Sequence, residues 1–242
     1  HHLAYEKVVL SPATARDLGY EVSGEGGAVK VSGRKGLGVK ADDLMDALLA
    51  KARAEVDARD PERDPTAREA TADAVATGAL RYFMQRFSRT RIITFDMEEA
   101  LAFTGETGPY VQNAVVRARN IFGKLEAQGH RVEDLLARAL EADLGATLAG
   151  EEGDEVWTLL LLMARTEDVE ENAIRSEDVA LVAKHAFAVA QAFHSYYQKP
   201  QHSVLHAETE DLRAFRVLVV DTFVRQMEVL LDLLGIPVPE RM

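Results

Sequence analysis

The sequence predicts a mainly α-helical protein, a helical bundle preceded by a short segment of strand and loop. Three observations support this prediction. The chain has 242 residues, of which 47% are hydrophobic and 28% are charged, as is typical of one or two globular domains with their own core. Beyond residue 40, apolar side chains recur at the three-to-four-residue spacing of helices. Residues 1–40 differ, because they hold 7 of the 16 glycines.

Two short apolar runs in this glycine-rich region predict strands. The first run, Tyr5–Leu10, is broken by Ser11-Pro12, because the residue before a proline and the proline itself resist regular pairing. The second run, Ala28–Val31, leads into a loop that ends at Gly38. The region is too short to be a domain, and we expect it to be the end of a domain whose remainder is absent.

Helix signals cover the rest of the chain. An Asp96 cap, a Thr107 cap followed by Pro109, and a terminal Gly235 mark helix boundaries. The predicted helices are Ala41 to Pro61, Thr66–Phe87, Asp96–Leu101 after an extended Arg91–Phe95, Thr107–Ala127, Val132–Leu144, Glu155–Ala164 (buried around Trp157, Leu160, Leu161 and Met163), Ser176–Gln198 and Glu208–Leu234, with Gly145–Gly153 as a linker. The short loops predict a bundle of about seven mostly antiparallel helices.

The composition excludes several classes of site. The chain has no cysteine, so disulfides, zinc–thiolate sites, iron–sulfur clusters and thiol nucleophiles are excluded. The longest apolar run is far shorter than the roughly 20 residues that span a bilayer, and no secretory segment opens the sequence. We therefore expect a cytoplasmic protein. Because the chain starts at His1, we also expect it to be a processed product or a part of something longer.

The charge of the chain is unevenly distributed. The formal net charge is −12, which disfavours non-specific binding to phosphate backbones. The acidic excess is concentrated between Arg131 and Lys184, with 5 basic and 14 acidic residues. Two positive segments remain: residues 75–95 carry four arginines and no acid, and residues 107–131 carry a net charge of +3. A specific nucleic-acid interface is therefore compatible with the composition.

Three further patterns each have a functional and a structural interpretation. The loop Val31–Gly36 places Arg34 and Lys35 between glycines, as a phosphate site or as a solvated turn. Tyr110, Asn113 and Arg117 share one helix face, which suits stacking on a base, contact with its edge and binding of a phosphate, or is simply a polar face. The last pattern is an arginine cluster that either faces RNA or pairs with the acidic stretch: Arg81, Arg86, Arg89 and Arg91. We expect no metal site, because His202 and His206 follow Pro200 in a predicted loop.

Several motifs resemble the arginyl-tRNA synthetase family. The most specific are Ala79-Leu80-Arg81-Tyr82-Phe83, Phe95-Asp96 and the run from Ala100 to Gln112, which contains Thr107-Gly108-Pro109-Tyr110. The loop 31–36 with Asp42-Asp43-Leu44 is similar to the signature loop of class I synthetases, and Leu230–Ile236 with Pro239–Met242 is similar to the family's last helix and tail. The resemblance covers almost the whole chain and is weakest at residues 129–175.

The resemblance implies a class I enzyme that activates arginine with ATP and Mg²⁺ and transfers it to the tRNA for arginine. The HIGH-type motif of such enzymes does not occur in these 242 residues. The implied fold is the end of the catalytic domain at residues 1–45 and an all-helical anticodon-binding domain at residues 46–242. We expect this chain to bind tRNA, without DNA or membrane partners, and to hold no cofactor and catalyse nothing alone.

The resemblance also implies site residues. Lys30, Ser32, Arg34 and Lys35 belong to the signature-type loop and would assist catalysis only, since Gly33 stands where class I enzymes usually have a second lysine. The implied tRNA contacts are Tyr110, Arg117, Asn113 (a position that is tyrosine in many relatives), Tyr197 and Met242.

Two other interpretations remain open from the sequence. One is a stand-alone helical module, derived from a synthetase, that binds tRNA or protein without ligase activity. The other is the same domain in a different class I synthetase, which the Thr107-Gly108-Pro109-Tyr110 run disfavours.

Overall fold

The computed structural model describes residues 5–20, 22, 39–143 and 145–242. Within these residues the chain is almost entirely helical. The elements in chain order are β1 (Val8–Leu10), α1 (Pro12–Asp17), α2 (Ala41–Arg59), α3 (Pro65–Gln85), β2 (Ile93–Phe95), α4 (Met97–Leu101), α5 (Gly108–Ala127), α6 (Val132–Glu141), α7 (Gly145–Leu148), α8 (Glu151–Ala164), α9 (Thr166–Ser176), α10 (Ala180–Tyr197), a 3₁₀ turn (Pro200–His202) and α11 (Glu210–Leu233). The predicted mainly α-helical fold is confirmed.

Side-chain caps start five of these helices. Asp96 accepts a hydrogen bond from the backbone N–H of Glu99, and Thr107 accepts one from Tyr110. Each satisfies a backbone donor that the helix leaves unpaired. The same cap forms at Ser11, Asp64 and Thr209. The predicted starts at Asp96 and Thr107 are therefore confirmed. The helix after Ser11 is an addition to the sequence prediction, because a Ser-Pro pair that ends a strand also caps the helix that follows.

The helices and strands enclose two hydrophobic clusters. The first cluster is formed by α5, α6, α8, α10 and α11. The second is formed by β1, α1, α2, α3, β2 and α4, and it includes the parallel pairing of β1 with β2. The hydroxyl of Tyr82 on α3 donates to the carbonyl of Ala183 on α10 at 3.0 Å, which fastens α3 to the first cluster.

The proposed boundary between residues 45 and 46 lies inside α2. Side chains from both sides of it share the second cluster, since Leu44 packs there together with Leu48 and Val75. No helix or strand ends at the boundary. The segment 23–38, with the run Ala28–Val31 and the glycine-rich loop, lies outside the described residues.

The segment 145–176 differs most from the sequence prediction. The expected linker contains α7, and α9 was not predicted. Trp157 and Leu161 are 56% and 51% exposed, whereas Val156 and Leu159 are buried. An unbroken apolar run presents apolar side chains on every helix face, so periodicity cannot identify the buried side. Packing against α10 and α11 decides it. In the described part of the chain, no helix is long and apolar enough to cross a membrane.

Candidate nucleic-acid interface

The start of α5 is pressed against α3. A Cβ added to Gly108 would lie less than 3.0 Å from the carbonyl group of Gly78. The buried Gln112 side chain then donates to the carbonyls of Ala74 at 2.8 Å and of Pro237 at 2.6 Å. This close approach fixes the rotation of α5 about its axis. As a result, Tyr110 faces α10.

Tyr110 lies in an aromatic group at the junction of α5 and α10. Its ring centroid is 4.9 Å from that of His194, in an edge-to-face arrangement, and 5.2 Å from that of Phe187. Tyr110 is half-buried, and this burial raises the pKa of its hydroxyl, against the opposing effect of Arg117. The tyrosine therefore stays a neutral aromatic surface at physiological pH.

Arg117, about two helical turns after Tyr110 on α5, meets Tyr197 at the same junction. The Arg117 guanidinium carbon lies 5.8 Å from the Tyr197 ring centroid, within the range of a cation–π contact. Tyr197 lies parallel to Phe193 at 5.8 Å, and Phe193 stacks on Phe223 of α11 at 3.8 Å. The stacked rings of Phe193 and Phe223 therefore hold Tyr197 in place. Three predicted residues come together here: Tyr110, Arg117 and Tyr197.

Asn113 is half-exposed on α5, between Tyr110 and Arg117 along the helix. Its amide offers both donors and an acceptor. The face therefore combines aromatic rings, an amide and a guanidinium. This combination suits an unpaired nucleotide, whose base stacks, whose edge forms hydrogen bonds and whose phosphate attracts a cation.

His194 belongs to the same group and is not among the predicted tRNA contacts. Burial, together with the Arg117 cation, lowers the pKa of His194 to about 4. The imidazole is therefore neutral at physiological pH. Its Nε2 atom is buried and has no hydrogen-bond partner among the described residues. Its place beside Tyr197 near the end of a helix was visible in the sequence, but its contact with Tyr110 depends on the packing of α5 on α10.

A buried ion pair supports the end of α10. Arg216 on α11 donates to both carboxylate oxygens of Glu152 on α8, at 2.8 and 2.7 Å, and to the carbonyl of Ser203 at 2.8 Å. The Tyr196 hydroxyl donates to Glu152 at 2.8 Å. The pKa of Glu152 is lowered, because these hydrogen bonds outweigh its burial. The network ties α8, α10, α11 and the turn after Tyr197 together.

The arginine cluster is largely structural. Arg86 is buried, donates to the carbonyl of Glu106 at 2.6 Å and pairs with Glu99. Arg89 pairs with Glu177 of the acidic stretch at 3.5 Å. Arg81 and Arg91 are exposed. The predicted pairing with the acidic stretch is therefore found at Arg89, whereas Arg86 is structural through Glu99 and Glu106, which lie outside that stretch.

Met242 lies apart from the Tyr110 group. It packs against the second hydrophobic cluster, whereas Tyr110 and Tyr197 pack against the first. Arg241 pairs with Asp60 at 3.4 Å, and Glu240 pairs with Arg63 at 3.5 Å. The structure therefore does not bring Met242 together with the other predicted tRNA contacts.

The predicted residues of the signature-type loop lie outside the described residues: Lys30, Ser32, Arg34 and Lys35. His202 is buried, with Nδ1 3.0 Å from the carbonyl oxygen of Tyr196 and its ring stacked on that tyrosine. Within the described ranges, no three His, Asp or Glu side chains are arranged to hold a metal ion.

Comparisons with known proteins identify the family of the chain. Residues 111–242 match the model of the DALR anticodon binding domain. Over 88% of its own length, this chain is 35% identical to the arginine–tRNA ligase of Deinococcus radiodurans. Over its whole length, it is 33% identical to the arginine–tRNA ligase of Thermococcus kodakarensis. The solved structure of Thermus thermophilus arginyl-tRNA synthetase superposes on the whole of this chain with a TM-score of 0.75 and 30% sequence identity. The match covers 35% of the synthetase chain.

The matches cover most of this chain but a smaller share of its relatives. The chain covers 34% of the length of each of the two ligases, so it spans about a third of the curated relatives that it matches. The family model covers more than half of the chain, including Arg117, Tyr197 and the supporting helices α8, α10 and α11. The chain belongs to the family of DALR anticodon-binding domains.

Proposed function

We propose that this chain is the C-terminal, tRNA-binding part of an arginine–tRNA ligase, an enzyme that attaches arginine to its tRNA with ATP and Mg²⁺. Membership in the DALR family and the names of the similar ligases support the proposal. The chain binds the anticodon region of the tRNA for arginine, in the cytoplasm. ATP and arginine bind to the remainder of the enzyme. Neither DNA nor a membrane is a partner.

The observation that carries the proposal is the group of Tyr110, Arg117 and Tyr197 at the junction of α5 and α10. A guanidinium 5.8 Å from a tyrosine ring that is itself stacked on the core is a rigid cationic and aromatic surface. Bases stack on such rings at about 1–3 kcal/mol per base, and arginine holds the phosphate between them. Asn113 supplies hydrogen bonds to a base edge.

Residues 1–45 are proposed to be the end of the ligase's catalytic domain. In that role, Lys30, Ser32, Arg34 and Lys35 assist by stabilising the charge of the departing pyrophosphate. The ATP site itself is completed by the rest of the enzyme. We therefore expect the pure 242-residue chain to show no arginine-dependent exchange of pyrophosphate into ATP, and exchange above background would contradict this division of roles.

The experiment that tests the proposal is binding of an arginine tRNA transcript to the Arg117→Ala variant. Loss of a charge-assisted contact should weaken binding by about 1–3 kcal/mol, roughly 5- to 150-fold in Kd. The slope of log K against log salt should fall by about 0.7, because one contact to a single-strand phosphate is lost. Filter binding or anisotropy at several salt concentrations measures both quantities.

The matched control is Arg175→Ala. Arg175 is exposed on α9, and among the described residues its partner is Glu171, four residues before it on the same helix, so its removal should leave tRNA affinity unchanged. Thermal unfolding of both variants verifies that the fold is intact. An Arg117→Ala variant that binds tRNA like the parent, with an unchanged salt slope, would exclude this face as the anticodon site.

A further inference from the structure

His194 is the least satisfied buried polar residue near the proposed interface. Its side chain is only 6% exposed, and Nε2 has neither solvent nor a hydrogen-bond partner in the described part of the chain. Buried polar atoms are paired in the great majority of cases, and each exception calls for an explanation. If the imidazole only filled space, an apolar ring of similar size would do so without leaving a polar atom unpaired, at little cost in unfolding free energy.

Four of the other unpaired buried atoms belong to side chains that form hydrogen bonds through another atom. Gln112 and Gln85 each donate through Nε2, and Arg86 and Arg213 donate through their terminal nitrogens. His194 differs from these side chains. Its imidazole meets the edge of the Tyr110 ring at 4.9 Å, and this contact gives Nε2 no hydrogen bond. An unused hydrogen-bonding group therefore lies beside the aromatic surface of the candidate interface.

We propose that Nε2 of His194 is a base-selecting group, which hydrogen-bonds to the edge of one unpaired anticodon-loop base. This inference rests on the proposed tRNA-binding function and adds a specificity-determining residue to it. A neutral imidazole nitrogen either donates or accepts according to its tautomer. The bound base fixes that choice.

The contact requires a movement of Tyr110. Nε2 is closed to solvent in the free chain, and Tyr110 is the half-exposed side chain in ring contact with His194 on the side of Arg117 and Asn113. When a base stacks at this face, the Tyr110 ring shifts onto the base and the base edge meets Nε2. A base without the matching group leaves Nε2 buried and unpaired, which is how polar sites reject wrong substrates.

The test compares the full chain with its His194→Phe variant, using the arginine tRNA transcript and transcripts in which each anticodon-loop base is replaced singly. We expect the variant to bind the parent transcript roughly tenfold more weakly, and to lose discrimination at one loop position only. The salt slope should stay unchanged, because a neutral ring makes no phosphate contact. A similar affinity loss for all transcripts, or full retention of discrimination, overturns the proposal.

A second measurement needs no altered protein in the binding step. In a sample labelled with ¹⁵N-histidine, the Nε2 signal that is absent from the His194→Gln variant should shift when tRNA is added to the unaltered chain. An unmoved signal in a saturated complex overturns the inference and leaves the proposed function intact. Failure of the unaltered chain to bind the transcript at all overturns both.

Discussion

Gly108 at the start of α5 approaches the backbone of Gly78 in α3 so closely that position 108 has no room for a Cβ. A Cβ on Gly108 would fall within 3.0 Å of the Gly78 carbonyl group, and a Cβ on Gly78 would fall within 3.0 Å of the Gln112 side chain. The contact brings the backbones of α3 and α5 together, beside the side-chain links through Tyr82 and Gln112. It also sets the direction in which Tyr110 projects.

Replacing Gly108 with alanine should therefore destabilise the whole chain. Backbone atoms cannot yield as a flexible side chain does, so α5 must shift away from α3. Overpacking of this kind costs about 1–3 kcal/mol of unfolding free energy. Urea denaturation followed by circular dichroism measures the loss, and tRNA binding should weaken as well because Tyr110 moves.

Gly123 provides the control on the same helix. A Cβ there meets nothing within 4 Å, so Gly123→Ala should stabilise the chain by about 0.5–1 kcal/mol through the reduced entropy of the unfolded state. Equal effects of the two substitutions would show that the close approach of α5 to α3 does not matter for stability.

Removing one charge of the ion pair between Glu152 and Arg216 should lower the unfolding free energy of the chain. Arg216 is only 4% exposed, so Glu152→Gln leaves a buried cation with no opposing charge, at a cost of about 3–5 kcal/mol. The double variant Glu152→Leu with Arg216→Met removes both charges and should recover most of that loss. Chemical denaturation of both proteins provides the comparison, and a double variant less stable than Glu152→Gln would contradict it.

Deletion of Arg241-Met242 should lower the thermal midpoint. Met242 packs against the second cluster and Arg241 pairs with Asp60. The loss of about 1 kcal/mol from these contacts corresponds to about 2–4 °C in a chain of this size. The contact of Met242 with the anticodon that the family resemblance implies stays a prediction. Lower tRNA affinity at an unchanged midpoint would favour that contact over the packing role.

His194 should make the stability of the chain depend on pH. The pKa of His194 is about 4 in the folded chain against about 6.5 in an unfolded one. Between these values the unfolded state binds a proton that the folded state does not, so the unfolding free energy falls as the pH decreases, by up to about 1.4 kcal/mol per unit. His194→Phe should flatten this dependence between pH 6.5 and 5, as measured by urea denaturation. Identical slopes for the two proteins would show that His194 is readily protonated in the folded chain.

The sequence determined the elements whose cause is local. The caps at Asp96 and Thr107, and the end of the last helix near Gly235, were predicted at or near their positions, because a cap is a hydrogen bond within three or four residues. The spacing of Tyr110, Asn113 and Arg117 on one helix face follows from the helical period alone. The same period could not show which neighbour that face would meet.

The tertiary structure decided everything that depends on a partner helix. Trp157 is exposed and Leu159 buried because α10 and α11 cover only one side of an apolar run. The pKa of His194 is lowered by burial and by Arg117, and its Nε2 has no hydrogen-bond partner in the described residues, because α5 packs on α10 at Tyr110. Burial, desolvation and ring contacts arise where two elements that are distant in the chain pack together. The sequence pattern of either element alone therefore does not determine them.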